Sequence, residues 1–330
     1  MRGCGPRVSY MSRDDRMNIL VTGGAGFIGA MIAKSLVSSG YDVTVIDNLS
    51  RGSRWNVPEE ARFIPGDILG YPLLEEVIRK CDAVFHFAAN PDVRGANQNP
   101  TEYLRSHLNA TIRIASCMKP GQILVFASSS TVYGDASVIP TPEGYGPCIP
   151  ISIYGCMKLA CESVISGFSH LHGFKGVILR YANIVGPTGH GVVKDFFRKL
   201  QTNSRVLEIL GDGSQRKSYC WIEDCVTATI DAWSESILSE NHQLEIYNIG
   251  SRDSISVVDV ARTVCEAMGV APELRFVPFE GGRGWKGDVK TMELDISKIC
   301  QVSKGIRHSS RESVQKCIEG LIRRGQPRNI

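Results

Sequence analysis

The chain has no apolar run approaching the roughly 18 residues of a membrane-spanning helix, so no transmembrane segment is expected. It has no CxxC pair and no Cys/His cluster at zinc spacing, so no metal site is expected. Its 11 cysteines are scattered and odd in number, which speaks against a disulfide framework. Free thiols and a cytoplasmic location are the expectation, with Cys117, Cys161 and Cys265 lying in apolar helical patterns as small hydrophobes. Charge of one sign is also lacking. Lys and Arg together number 37 against 34 Asp and Glu, a net of +3, and no basic run is interleaved with aromatics, so nucleic acid is not an expected partner. The first 16 residues lack the apolar stretch of a signal peptide and are expected to be a disordered extension, or the product of an upstream start codon. Internal repeats and low-complexity segments are absent.

What remains is an ordinary globular composition, 43% hydrophobic and 22% charged over 330 residues, enough for one large domain or two coupled ones. "NILVT" (18–22), "DVTVID" (42–47), "RFIPGD" (62–67), "DAVFHFAA" (82–89), "QILVFASS" (122–129) and "GVILRYANIVG" (176–186) are strand-like apolar runs. Helical patterns fall between them: to about Ser38, at 73–80, at 101–118, and after Pro150 to about His172 with Ser152 as candidate N-cap. Apolar strands alternating with helices predict an α/β fold with a parallel sheet covered on both faces. Beyond Gly186 the order loosens, with helices expected at 192–201, 223–237 and 256–268 and strands near 206–210, 245–249 and 274–277. "SSRE" (309–312) has the form of a capping box opening a last helix.

Between the first strand and the first helix stands "VTGGAGFIG", which places Gly23, Gly26 and Gly29 as GxxGxxG. Glycines there let the backbone approach a pyrophosphate, and the helix N-terminus offers N–H groups and partial positive charge. No Gly-Lys-Ser/Thr follows, which excludes an ATP-type P-loop. Asp47 ends the second strand, where a carboxylate accepts from both ribose hydroxyls and repels a 2′-phosphate; this favours NAD over NADP, a preference that Arg51 and Arg54 weaken. The fold expected is therefore a Rossmann-type doubly wound sheet at 17–186, with later contributions near 223–250. A smaller mixed α/β substrate domain is expected from 187–222 and 251–330, so the chain would cross between the two more than once.

"ISIYGCMK" (151–158) carries Tyr154 and Lys158 on one helical face at i, i+4. The spacing alone leaves open a packing helix or a catalytic base beside its activator. Half-ionising a phenol at neutral pH needs a shift of about 3 units, or about 4 kcal/mol. A lysine ammonium about 4 Å away at an effective dielectric of about 20 supplies that much.

The ordered set "VTGGAGFIG", "DNLSRG" (47–52), "GDI" (66–68), "FHFAANPDVR" (85–94), "FASSSTVYGD" (126–135), "YGCMK", "RYANIVGP" (180–187), "GDGSQRKSY" (211–219), "YNIGS" (247–251) and "GRGWKGDV" (282–289) resembles the extended short-chain dehydrogenase/reductases. Within them it resembles the archaeal-type UDP-glucose (UDP-galactose) 4-epimerases, from about Met17 to Lys298. The resemblance implies Tyr154 as base, Lys158 binding the nicotinamide ribose and lowering the tyrosine's pKa, and Ser129, 25 positions before Tyr154, relaying the proton of the sugar's 4-hydroxyl. Ser128 and Ser130 adjoin it as alternatives. The cofactor contacts it implies are Gly23, Gly26, Phe27, Ile28, Gly29, Asp47, Asn48, Ser50, Gly52, Asp67, Ile68, Phe87, Ala88, Ala89, Tyr154, Lys158 and Tyr181. For a UDP-sugar it implies Ser129, Ser130, Tyr154, Asn183, Arg216, Lys217, Arg283 and the gating residue Met292. It also implies a homodimer through the 101–118 and Tyr154 helices.

Ser130 and Thr131 stand where sugar-nucleotide dehydratases carry Asp-Glu, and Thr131 where UDP-glucuronate decarboxylases carry Glu, so neither elimination nor decarboxylation is expected. The expected reaction is C4 epimerisation of UDP-galactose and UDP-glucose, extending to N-acetylhexosamines. Another NAD-dependent sugar-nucleotide oxidoreductase and a non-catalytic dinucleotide sensor are the alternatives. Departures from the family pattern are Lys217-Ser218 for Arg-Asp, the shifted spacing of Arg283 to Asp288, a missing Gly-Trp-x-Pro signature in the tail, and His107 for the usual Asn. His107 is expected to be a helix-face histidine satisfied locally.

Overall fold

The computed structural model describes residues 16–239 and 243–325, so the expected extension at 1–16 lies, except for Arg16, outside the described residues. In chain order the main elements are β1 (Asn18–Thr22), α1 (Phe27–Ser38), β2 (Asp42–Asp47), β3 (Arg62–Pro65), α2 (Leu74–Arg79), β4 (Ala83–His86), α3 (Val93–Gln98), α4 (Pro100–Tyr103), a π-helical turn (Leu104–Asn109), α5 (Ala110–Cys117), β5 (Ile123–Ser129), α6 (Ile153–His172), β6 (Lys175–Tyr181) and β7 (Asn183–Val185). There follow α7 (Val192–Thr202), β8 (Val206–Leu210), β9 (Arg216–Lys217), β10 (Tyr219–Trp221), α8 (Ile222–Leu238), β11 (Leu244–Ile249), β12 (Ile255–Ser256), α9 (Val257–Met268), β13 (Glu273–Val277), β14 (Thr291–Met292), α10 (Ser297–Val302) and α11 (Ser310–Gly325).

The large sheet runs β11-β6-β5-β4-β1-β2-β3. The pairs β3-β2, β2-β1, β1-β4 and β4-β5 are parallel. Strand order reverses at β1, the doubly wound topology in which ligands sit beyond the carboxyl ends of the strands. The register puts Thr22 beside Ile46 and His86, so the residues that follow, the glycine loop, Asp47 and Phe87 to Ala89, emerge together at that edge. Leu20, Ile46, Val84, Leu124 and Phe126 pack under α2, α5 and α6. Elsewhere in the same unit Trp233 of α8 meets the rings of Phe85 and Tyr41 edge-on. Apolar side chains on both faces explain why these strands read as continuous apolar runs.

The chain divides into two compact units. The first comprises residues up to Ser129, Ile153–Arg180 and Thr229–Tyr247; the second comprises Ser130–Ser152, Tyr181–Ala228 and the chain from Asn248 onward. This differs from the expected 17–186 partition at 130–152 and 181–186. Thr141 bridges Leu294, Glu143 accepts the Asn248 N–H, and Asp135 pairs with Arg283, contacts that draw 130–152 into the second unit. The second unit holds the small sheets β10-β7, β12-β9-β14 and β13-β8. Its helix α11 opens on the expected capping box: Ser309 N–H donates to Glu312 Oε2 at 2.8 Å and Glu312 N–H to Ser309 Oγ at 3.3 Å.

Two expected elements are broken. The strand at 176–186 stops at Ala182, whose N–H goes to Ile249, and resumes as β7 beside β10. The 101–118 helix is interrupted by the π-helical turn, a feature common at functional sites.

Candidate active site

In the first unit, β1 runs directly into the phosphate loop. Gly23 has φ +69°, and a Cβ there would lie 2.5 Å from the Ala88 nitrogen. A Cβ on Gly29 would strike the Gly23 carbonyl, and one on Gly52 would lie 2.6 Å from the Ala25 carbonyl carbon. α1 begins after Gly26 with no side-chain cap and no acidic residue in its first turn. Its leading N–H groups, on the partly accessible Phe27 and Ile28, thus suit a pyrophosphate. Asp47 accepts from Ala25 N–H at 3.0 Å and Leu49 N–H at 2.7 Å, one bond on each oxygen, which leaves lone pairs for ribose hydroxyls. Asn48 donates to Asp67 at 3.3 Å and accepts from Ser50 N–H at 3.1 Å, tying three expected cofactor residues into one rim. Arg54 lies over the Phe63 ring at 4.9 Å, already occupied. Phe87, Ala88 and Ala89 are partly accessible, whereas the Ile68 side chain is in the core cluster. Tyr181 is buried and belongs to the second unit. The glycine cradle and the oriented Asp47 therefore fit a dinucleotide.

β5 delivers "SSS" (128–130), and α6, packed on β5, delivers Tyr154 and Lys158. Ser128 is buried and donates to Glu162; Ser130 is buried in the following turn; Ser129 alone of the three is partly accessible. The Lys158 ammonium donates to the Ala127 carbonyl at 2.6 Å, lies 4.8 Å from the Phe126 ring centre and 5.9 Å from that of Tyr154. Burial pushes Lys158 down to about 8, against the opposing pull of Cys161 and Glu162. Burial raises the Tyr154 phenol above its ordinary value. With the ammonium donating to Ala127, burial is the largest influence on the phenol in this structure.

His107 is 2% exposed and lies in the π-helical turn. Its Nε2 is 3.0 Å from the Asn90 carbonyl, its Nδ1 has no hydrogen-bond partner among the described residues, and its ring meets Tyr154 edge-on at 5.5 Å. Burial, then the Lys158 charge, pushes it down to about 3, so it stays neutral at physiological pH and is no proton donor there. His86 is likewise pushed to about 3, chiefly by burial, and bridges Thr22 at 2.8 Å and Thr111 at 3.1 Å.

In the second unit, β9 and β14 pair in parallel with Lys217 opposite Met292 and Arg216 opposite Thr291. Neighbours along a strand face opposite ways, so Lys217 and buried Met292 share one face and Arg216 takes the other, donating to the Ser254 carbonyl at 2.6 Å. The Lys217 ammonium pairs with Asp288 at 3.0 Å, and Arg283 forks onto Asp135 at 3.1 and 2.8 Å and donates to the Asp288 carbonyl. These two cations and two carboxylates form one cluster. Asn183 is exposed at the start of β7, its side chain 3.3 Å from the Ser218 carbonyl.

The NAD dependent epimerase/dehydratase family matches residues 19–250. The chain belongs to that family. It is 32% identical over 304 residues to the UDP-glucose 4-epimerase of Corynebacterium glutamicum, covering 86% of this chain and 89% of the relative. It is 33% identical over 279 residues to the UDP-N-acetyl-alpha-D-glucosaminuronate decarboxylase of Bacillus cytotoxicus, covering 79% and 83%. A crystal structure of a UDP-galactose 4-epimerase superposes with a TM-score of 0.84 at 42% identity, covering 94% of this chain and all (100%) of that one. The sequence motifs do not single out Glu162, Arg180 or Asp135, which the structure places in buried or paired positions beside the candidate site residues. Their one sequence signal was a charged residue inside an otherwise apolar or glycine-rich segment.

Proposed function

We propose that the protein interconverts UDP-galactose and UDP-glucose by oxidising and re-reducing sugar C4. The observation that carries this is the turn after Ser129: Ser130–Tyr133 is "STVY", with no acidic residue to drive dehydration or decarboxylation. NAD⁺, held by the glycine loop and Asp47, would supply reversible hydride chemistry at C4, so no external reductant would be consumed.

The chain's own residues handle the proton and the grip. Ser129 bonds the 4-hydroxyl and passes its proton to Tyr154, which gives it back on the return step. Lys158 must be charged to stabilise the phenolate, and its neighbours hold it in a water-poor setting where one charge counts for more. Lys217 and Arg283 bind the diphosphate, and Met292, flexible and unbranched, admits the C2 side of the sugar, including an N-acetyl group. A homodimer through α5 and α6 is proposed on the same footing.

The test is incubation of the purified protein with UDP-galactose and no added cofactor, with UDP-glucose followed by NMR. Conversion without added reductant is expected, and Tyr154→Phe is expected to lose at least ~10³-fold. Stoichiometric consumption of added NADH would instead indicate a ketoreductase. UDP-N-acetylglucosamine run alongside tests the role of Met292, which complete refusal of that sugar would contradict.

A further inference from the structure

Beside the proposed catalytic residues lies a buried ion pair that the mechanism leaves unused. Tyr154, Lys158 and Glu162 follow one another at i, i+4 and i+8 along one face of α6. The Glu162 carboxylate receives Arg180 of β6: Nε lies 3.0 Å from Oε1 and 3.2 Å from Oε2, and Nη2 lies 2.6 Å from Oε2. The two side chains are 5% and 6% exposed. Oε1 also accepts the Ser128 hydroxyl. Ser128 stands between Ala127, whose carbonyl holds the Lys158 ammonium, and Ser129. One carboxylate thus pins the end of β5 to α6 where all three proposed catalytic groups originate. A buried ion pair is a weak source of net stability compared with apolar residues of the same volume, so stability alone does not account for it.

We propose that Glu162, paired with Arg180, is a positioning residue for the reaction: it anchors the Ala127–Ser129 end of β5 against α6 and sets the field in which Tyr154 and Lys158 titrate. This rests on the catalytic reading above. The groups facing Lys158 and Tyr154 are Cys161 on α6, His86 on β4, Tyr103 on α4 and His107 on the π-helical turn. Burial keeps both imidazoles neutral and raises the Cys161 thiol and the Tyr103 phenol. Within this group at neutral pH, Glu162 is the anion and Arg180 the cation that balances it.

The two members of the pair should therefore act with opposite sign. Glu162→Gln leaves the Arg180 charge uncompensated, which favours phenolate and disfavours ammonium, so the titrations of Tyr154 and Lys158 both move to lower pH. Arg180→Met leaves the Glu162 charge uncompensated and moves both to higher pH. The expected displacement is about one pH unit each way. Two readouts serve: the pH profile of turnover, and the phenolate absorbance of Tyr154, taken as the difference between each variant and the same variant carrying Tyr154→Phe. A pair that only holds the fold together weakens both variants without displacing either titration. Opposite displacements are the expected result; none, or two of the same sign, overturns the proposal. If the wild type turns over no sugar nucleotide, the catalytic reading fails and the absorbance titration still decides the inference. Should both charge variants fail to fold, Ser128→Ala, which keeps the pair and cuts its link to β5, is decisive. Its kcat is expected to fall at least ~10-fold with KM and melting temperature nearly unchanged, and an unchanged kcat overturns the proposal.

Discussion

Lys158 shows a conflict between stability and function in one side chain. Its ammonium is buried, donates to the neutral Ala127 carbonyl, and has a pKa lowered by burial from 10.5 to about 8. Below pH 8 the group is charged in both the folded and the unfolded chain, so folding bears the full cost of burying it. Above 10.5 it is neutral in both and the cost vanishes. A shift of that size corresponds to about 3 kcal/mol between the charged and neutral forms. Lys158→Met is therefore expected to abolish turnover and yet raise the melting temperature by a few degrees at pH 7, an advantage that shrinks as pH rises from 8 towards 10.5. Thermal melts of both proteins across that range check it, and a lower melting temperature for the variant at pH 7 would contradict the argument. The three serines teach a related lesson. They are chemically identical, and only their surroundings make Ser129 the one with access.

At the scale of elements, the loop from β1 to α1 is built by close approach rather than by side chains. Gly29 has no room for a Cβ, which would meet the Gly23 carbonyl. Gly29→Ala is expected to shift the loop and weaken NAD binding by at least ~10-fold, read from the fluorescence of bound NADH, while the rest of the sheet stays folded. Retained cofactor affinity would show that the loop has slack. The π-helical turn has a different effect: it interrupts the regular i+4 bonding of the 101–118 segment, which α5 resumes, and buries His107 against Tyr154. β9 is only two residues long, yet it decides that Lys217 and not Arg216 faces Met292.

For the molecule as a whole, His86 and His107 impose an acid limit. Each titrates near 6.5 when unfolded and near 3 when folded. Between those values the unfolded chain takes up protons first, so stability falls as pH drops from 6.5 towards 3. Denaturant titrations at several pH values should show that fall, and His107→Asn should make it shallower; an unchanged slope would remove His107 as a cause. The proposed dimer is tested by sedimentation. Leu171 of α6 is 75% exposed, and Leu171→Glu is expected to leave a monomer where the wild type is a dimer; identical sedimentation of the two would exclude that face. Local periodicity and neighbouring residues were enough, from the sequence by itself, to determine the parallel α/β sheet, the glycine loop with Asp47, the α11 capping box, and the Tyr154–Lys158 face of α6. Those features follow from periodicity and motif spacing along the chain. Only the tertiary structure decided that Ser128 is spent on Glu162, that Lys158 answers to Ala127, that His107 is buried, and that 130–152 joins the second unit. Each of these depends on partners about 17 to 150 positions away, and on how much water the packed chain leaves around a charge.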